Sequence, residues 1–122
     1  MENYSATYTQ QRTFEKYDAN NIIGYLHEEI VGDFIPEGND EPTTGYKYTG
    51  TERDGGTIMP CKDPSSYNEV TNAIIRADIS ESEEQAIQRH YINDPQAYAE
   101  EWRNYNDLCE RAKATAKLWL SI

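Results

Sequence analysis

An α+β fold is predicted for this 122-residue chain, and three observations predict it. Tyr4, Ala6 and Tyr8 alternate with Ser5 and Thr7, and Tyr46 and Tyr48 alternate with Lys47 and Thr49, which is the period of strands. From Asp63 onward, apolar residues recur at three- and four-residue steps, which is the period of amphipathic helices. Between these regions, Glu52-Arg53-Asp54-Gly55-Gly56 is a turn sequence, because Asp-Gly and Gly-Gly accept positive φ. The predicted order is an N-terminal strand and short helix, one β-hairpin, and a C-terminal three-helix unit ending in a long helix. One domain, 1–122, is expected, divided into 1–44, 45–62 and 63–122, since a chain this short does not hold two comfortable cores.

A weak strand or an ordered arm is expected around Tyr4–Tyr8, with Gln10-Gln11-Arg12 interrupting the alternation. A short helix is predicted from Asp18 to Val31. Asp18 can cap it, Ile22, Leu26 and Ile30 stack at four-residue steps, and Gly32 can end it, although Gly24 weakens it by about 1 kcal/mol relative to alanine. Six acids and no Lys or Arg lie between Glu28 and Glu41, among Pro36, Gly38 and Pro42, which reads as an acidic loop. The spacing of a calcium loop is absent there. Tyr46 and Tyr48 share one face of the first hairpin arm, and Thr57-Ile58-Met59 form the return arm, which Pro60 ends. An isolated hairpin is marginal in water, so this one needs a surface to lie on.

The first helix of the C-terminal unit follows Asp63-Pro64. It carries Tyr67, Val70, Ile74 and Ala77 on one face, with Ser66 and Glu69 available as a capping box. Ser80 and Glu83 repeat that pattern ahead of Ala86, Ile87, His90 and Tyr91, and this helix is expected to run to Asn93. Asp94-Pro95 is read as the N-cap and first turn of the long helix. Its stripe is Tyr98, Trp102, Tyr105, Cys109, Ala112, Ala116 and Trp119, aromatic at both ends and small in the middle, where a neighbouring helix can approach closely.

Composition narrows the function classes. The net charge is −11, with eleven acids against five Lys and Arg before Asp63 and eleven against six from there on. Acidity spread this evenly leaves no basic cluster for nucleic-acid phosphates. Only 37% of residues are hydrophobic, so ten Tyr and two Trp must supply much of the buried area. No apolar run approaches the ~20 residues of a membrane span and no signal-peptide pattern occurs, so a cytoplasmic (host cell) or virion location is expected. Cys61 and Cys109 are expected as reduced thiols.

No catalytic, cofactor or metal residue is assigned. His27 and His90 lack any HExxH, HxH or Cys/His neighbourhood. A nucleophilic Cys109 would need a histidine, for which His90 is the one candidate. The double glycine lacks the surroundings of a phosphate loop. Tyr and Trp are favoured at interfaces, so Tyr46 and Tyr48 on the hairpin, and Trp119 and Leu120 at the apolar end of the long helix, are the candidate partner-binding residues.

The string GYKYTGTERDGGTIMPC, followed by SSYNEVTNAIIRADISESEEQAIQRHYINDPQAYAEEWRNYNDLCERAKATAK, resembles small proteins encoded in phage and prophage genomes beside virion or tail genes. The resemblance covers about residues 45–117 and is one of pattern. It implies a non-enzymatic virion, tail-accessory or assembly role. The expected partners are other proteins, virion or assembly components, with a homo-oligomer as an option. No functional residue carries over from it. The alternative reading is an acidic decoy for a basic host nucleic-acid-binding protein, using Glu28, Glu29, Asp33, Glu37, Asp40 and Glu41. An enzyme built on Cys109 and His90 ranks third.

Overall fold

The computed structural model describes residues 3–122. The order is β1 (Tyr4–Tyr8), β2 (Phe14–Lys16), β3 (Asn21–Gly24), β4 (Glu29–Phe34), β5 (Thr43–Gly50), β6 (Thr57–Pro60), α1 (Tyr67–Asp78), α2 (Glu81–Asn93) and α3 (Ala99–Leu120). The class is α+β, and the last helix is the long one. The chain falls into two compact units that divide between Lys62 and Asp63, the point at which the helical part was expected to begin. All six strands lie in the first unit and all three helices in the second. No helix among the described residues is long and apolar enough to cross a membrane.

The β unit holds two antiparallel three-stranded sheets, ordered β1-β5-β4 and β2-β3-β6. The strand expected at Tyr4–Tyr8 is present, pairing Ala6 with Tyr48 and Tyr8 with Tyr46. The helix expected over Asp18–Val31 is not: those residues form β3 and the start of β4. The four-residue spacing would have put Ile22, Leu26 and Ile30 on one helical face, yet Ile22 and Leu26 are buried while Ile30 is 70% exposed. The β-branched pairs Ile22-Ile23 and Ile30-Val31 favour strand over helix, and His27, at φ 58°, breaks the backbone between them. Asp18 does cap, but it caps a turn. Its Oδ1 accepts from Asn20 N at 2.8 Å and Asn21 Nδ2 at 2.9 Å, closing the connection between β2 and β3. The acidic stretch likewise contains β4 before it becomes a loop.

The hairpin over 45–62 is corrected too. Its turn is real: Gly55 N donates to Glu52 O at 3.0 Å, and Gly55 sits at φ +85° with no room for a Cβ, which would fall 2.7 Å from the Tyr48 carbonyl oxygen. Its arms do not pair. β5 is the central strand of its sheet, bonded to β1 on one edge and β4 on the other, so neither edge is open to β6. The chain therefore passes to the second sheet, where Met59 of β6 lies opposite Ile22 of β3 and both are buried.

The helical unit follows its caps. Ser66 Oγ accepts from Glu69 N at 3.3 Å, but the Glu69 carboxylate turns to Asp63 N instead of closing the box on Ser66. At α2 the box is reciprocal between Ser80 and Glu83. α3 begins later than expected: Asp94 ends α2, its Oδ1 accepts from Ala97 N at 3.2 Å in a separate turn, and the helix starts at Ala99 behind Tyr98. Val70, Ala73 and Ile74 of α1 and Ala112 and Ala116 of α3 are buried, the small pair on α3 allowing the two helices to approach closely. α2 buries no residue fully. Its ring contacts with the start of α3 are stacked, Tyr91 on Trp102 at 4.5 Å and His90 on Tyr98 at 4.4 Å.

Candidate binding site

The most connected group of side chains in the β unit gathers around Tyr48. Its ring is fully buried, and it meets Tyr25 edge-on at 5.7 Å and Tyr8 at 6.2 Å. Its hydroxyl accepts from Arg12 N at 2.8 Å and donates to Glu28 Oε1 at 2.7 Å. The other Glu28 oxygen accepts from Gln11 Nε2 at 3.2 Å, and Thr13 O accepts from Tyr25 N at 2.9 Å. The segment joining β1 to β2 is thus held at three successive residues, Gln11, Arg12 and Thr13. Tyr25 donates to Asp54 Oδ2 at 2.8 Å and Tyr8 to the Asp54 carbonyl, while Asp54 Oδ1 accepts from Gly56 N at 2.9 Å. The turn that failed to make a hairpin therefore acts as the acceptor for two of the clustered tyrosines.

Burial raises the phenol pKa values of both Tyr25 and Tyr48 to about 12. The hydrogen bond to Asp54 adds to the rise in Tyr25, and the bond to Glu28 adds to it in Tyr48. Neutral phenols donating to carboxylates are the stable state of this cluster. Beside it, the Arg12 guanidinium rests 4.5 Å from the centre of the Tyr8 ring and 4.6 Å from that of Tyr25. It borders a recess of about 440 Å³ walled by residues 8–15 and Tyr25.

The helical unit holds a second polar cluster. Glu84 accepts from Arg76 Nη2 and from the Tyr105 hydroxyl, both at 2.6 Å, so one carboxylate ties all three helices together. The Tyr105 bond, then Arg76, holds the Glu84 carboxyl below its ordinary range, while burial, followed by the Glu84 bond, raises the Tyr105 phenol. A carboxylate with a depressed folded pKa contributes stability that is present above its unfolded value and lost as pH falls through the folded one. Glu84→Ala is expected to cost the helical unit about 1–2 kcal/mol at neutral pH and to flatten its loss of stability on acidification below about 4.5. Urea unfolding followed by the emission of Trp102 and Trp119 at neutral and acid pH measures both effects.

None of the four residues singled out from sequence as partner-binding is an exposed side chain. Tyr46 is half-buried, Tyr48 is a core residue whose hydroxyl is already engaged on both sides, Trp119 is 8% exposed and Leu120 is half-buried. At that end of α3, Leu118 and Ile122 are the exposed apolar residues, at 57% and 73%. Cys109 and His90 have different partners: Tyr105 lies beside the thiol, and His90 Nδ1 lies 2.9 Å from Glu101 Oε1. Cys61 is buried. Among the described residues no cluster of three or more His, Cys, Asp or Glu has the arrangement of a metal site. Nothing local marks Arg12, Tyr8 and Tyr25 as site residues: Tyr8 shows only as a member of the first strand's alternation, and Arg12 only in the polar Gln10-Gln11-Arg12 step that breaks it.

Comparison with known proteins finds no match to this chain, whether among protein-family models, characterised proteins or solved structures.

Proposed function

We propose that this protein acts by binding other proteins, without catalysis, in a structural or assembly role of the virion or tail-accessory kind implied by the resemblance of residues 45–117. One observation carries the binding reading. Ile30 stands on β4, the edge strand of its sheet, and is 70% exposed although it lies on the sheet's core face. The register sets Tyr8, Tyr46 and Ile30 in one row across β1, β5 and β4, so the apolar face of Tyr48 runs out to an uncovered edge. Exposed edges of this kind accept a strand or an apolar side chain from a partner. Glu29 and Asp33 on the same strand are exposed, which disfavours edge-to-edge pairing of two copies and favours a basic partner segment.

A photo-crosslinking residue substituted at Ile30, in the protein made in its own genetic setting, is expected to give one discrete protein adduct. The same residue at exposed Asn104 of the helical unit is expected to give none. No adduct at Ile30, or the same adducts at both positions, contradicts the reading.

A second reading, the acidic decoy, draws on the exposure of Glu29, Asp33, Glu37, Asp40 and Glu41, none of which makes a side-chain hydrogen bond or ion pair among the described residues. It requires capture of a basic nucleic-acid-binding partner that disappears steeply as salt rises, whereas an apolar contact at Ile30 persists.

A further inference from the structure

We propose that the recess beside Arg12 binds a monocarboxylate carried on an apolar body. The site is separate from the β4 edge and stands or falls independently of it. The Arg12 side chain is two-thirds buried, at 33% exposure, and lies against two tyrosine rings. None of its five guanidinium N–H groups makes a hydrogen bond to an acceptor among the described residues. Its acidic neighbour, Glu15, is 3.8 Å away with a side chain 68% exposed, too far for a hydrogen bond. A guanidinium fixed in place with its donor edge unused is a preorganised fork for a planar oxyanion.

The rest of the recess narrows the ligand. Residues 11–13 are already clamped, by Gln11 to Glu28, by Arg12 N to Tyr48 and by Thr13 O to Tyr25, so little ordering of the Arg12 backbone is left for a ligand to impose. Arg12 is the one cation of the lining and Glu15 the one acid. One fork facing one carboxylate, in a chain of net charge −11, suits a single negative charge and rejects a dianion. Tyr8, Phe14 and Tyr25 supply ring surface for the apolar body that carries the carboxylate. That body is either the C-terminal residue of a peptide or a free aromatic acid, and the two share this chemistry.

The test is an amide-detected NMR titration of the full chain, including the Arg12 side-chain Nε–H. The probes are 3-phenylpropionate, its primary amide, a tripeptide ending in phenylalanine with a free or an amidated C-terminus, and inorganic phosphate. Both carboxylates are expected to shift the signals of residues 8–15 and Tyr25 saturably, with Kd of roughly millimolar, and both amides about ten-fold more weakly. Tighter binding of the free-ended tripeptide assigns the site to a peptide terminus, and tighter binding of phenylpropionate to a small acid. Arg12→Met keeps the backbone bond to Tyr48 and is expected to abolish the shifts. Arg12→Lys, which keeps the charge without the fork, is expected to weaken them about ten-fold and carries the test if the methionine variant fails to fold. Amides binding as well as acids, phosphate binding as well as carboxylate, unchanged binding in a folded Arg12 variant, or no shift with any probe each overturns the proposal.

Discussion

Tyr48→Ala is expected to unfold the β unit, at a cost of about 4 kcal/mol, whereas Tyr48→Phe is expected to cost about 1–2 kcal/mol and leave it folded. The alanine variant removes a ring that is fully buried between Tyr8 and Tyr25, and it strips Arg12 N and Glu28 of their shared partner. A loss of that size matters more in a β unit of about sixty residues, which buries a small share of its surface and has little stability to spare. The phenylalanine variant keeps the packing and loses only the two hydrogen bonds. Urea unfolding of the full chain, read from NMR amide signals before Lys62, separates the two outcomes. A folded, near-wild-type alanine variant would mean that Tyr48 is not the centre of this unit.

The same unit is expected to lose stability between pH 10 and pH 12. Tyr25 and Tyr48 have folded pKa values raised from 10 to about 12. For a phenol so raised, the stabilisation is complete below the unfolded value and is lost as pH climbs through the folded one, because the unfolded chain ionises first. Two groups shifted by about two pKa steps set an upper bound of roughly 5 kcal/mol, of which solvent screening and partial opening will leave about half. Tyr48→Phe should remove one share of this alkaline sensitivity, and a Tyr25→Phe/Tyr48→Phe pair most of it. Denaturant midpoints of the three proteins, compared at neutral pH and across this window, give the answer. Parallel pH profiles in all three would show that the buried phenols are not responsible.

What could be read in advance depended on the distance between cause and effect along the chain. The helical half was legible because its signals are local. Ser66 and Ser80 stand one residue ahead of their helices, and the stripes of α1 and α3 repeat within a turn or two. Asp94 ends α2 and opens a turn instead of capping α3, because Asp-Pro opens a tight turn as readily as a helix. In the β half, the strand at Tyr4–Tyr8 was visible in its alternation, but its partner was not. β1 pairs residue 4 with residue 50, and β3 pairs residue 21 with residue 60. Local spacing carries no record of such pairings, so Thr57–Met59 looked like the return arm of the nearest strand. Ile22, Leu26 and Ile30 matched a helical period by coincidence, and the β-branched pairs outweighed it. The recess was hidden for the same reason. Arg12 acquires its setting only when Tyr8, Tyr25 and Tyr48 arrive from three separate segments, and nothing around residue 12 announces them.

Tyr48 as the post on which the Arg12 segment hangs is the claim that joins the fold to the proposed site, and amide hydrogen exchange tests it at a single atom. The Arg12 N–H donates to the Tyr48 hydroxyl, and the Tyr25 N–H to Thr13 O. In the unaltered protein both amides should be protected from exchange. In Tyr48→Phe the Arg12 amide should lose its protection while that of Tyr25 keeps it. An Arg12 amide that exchanges freely in the unaltered protein, or that stays protected in Tyr48→Phe, would contradict the account.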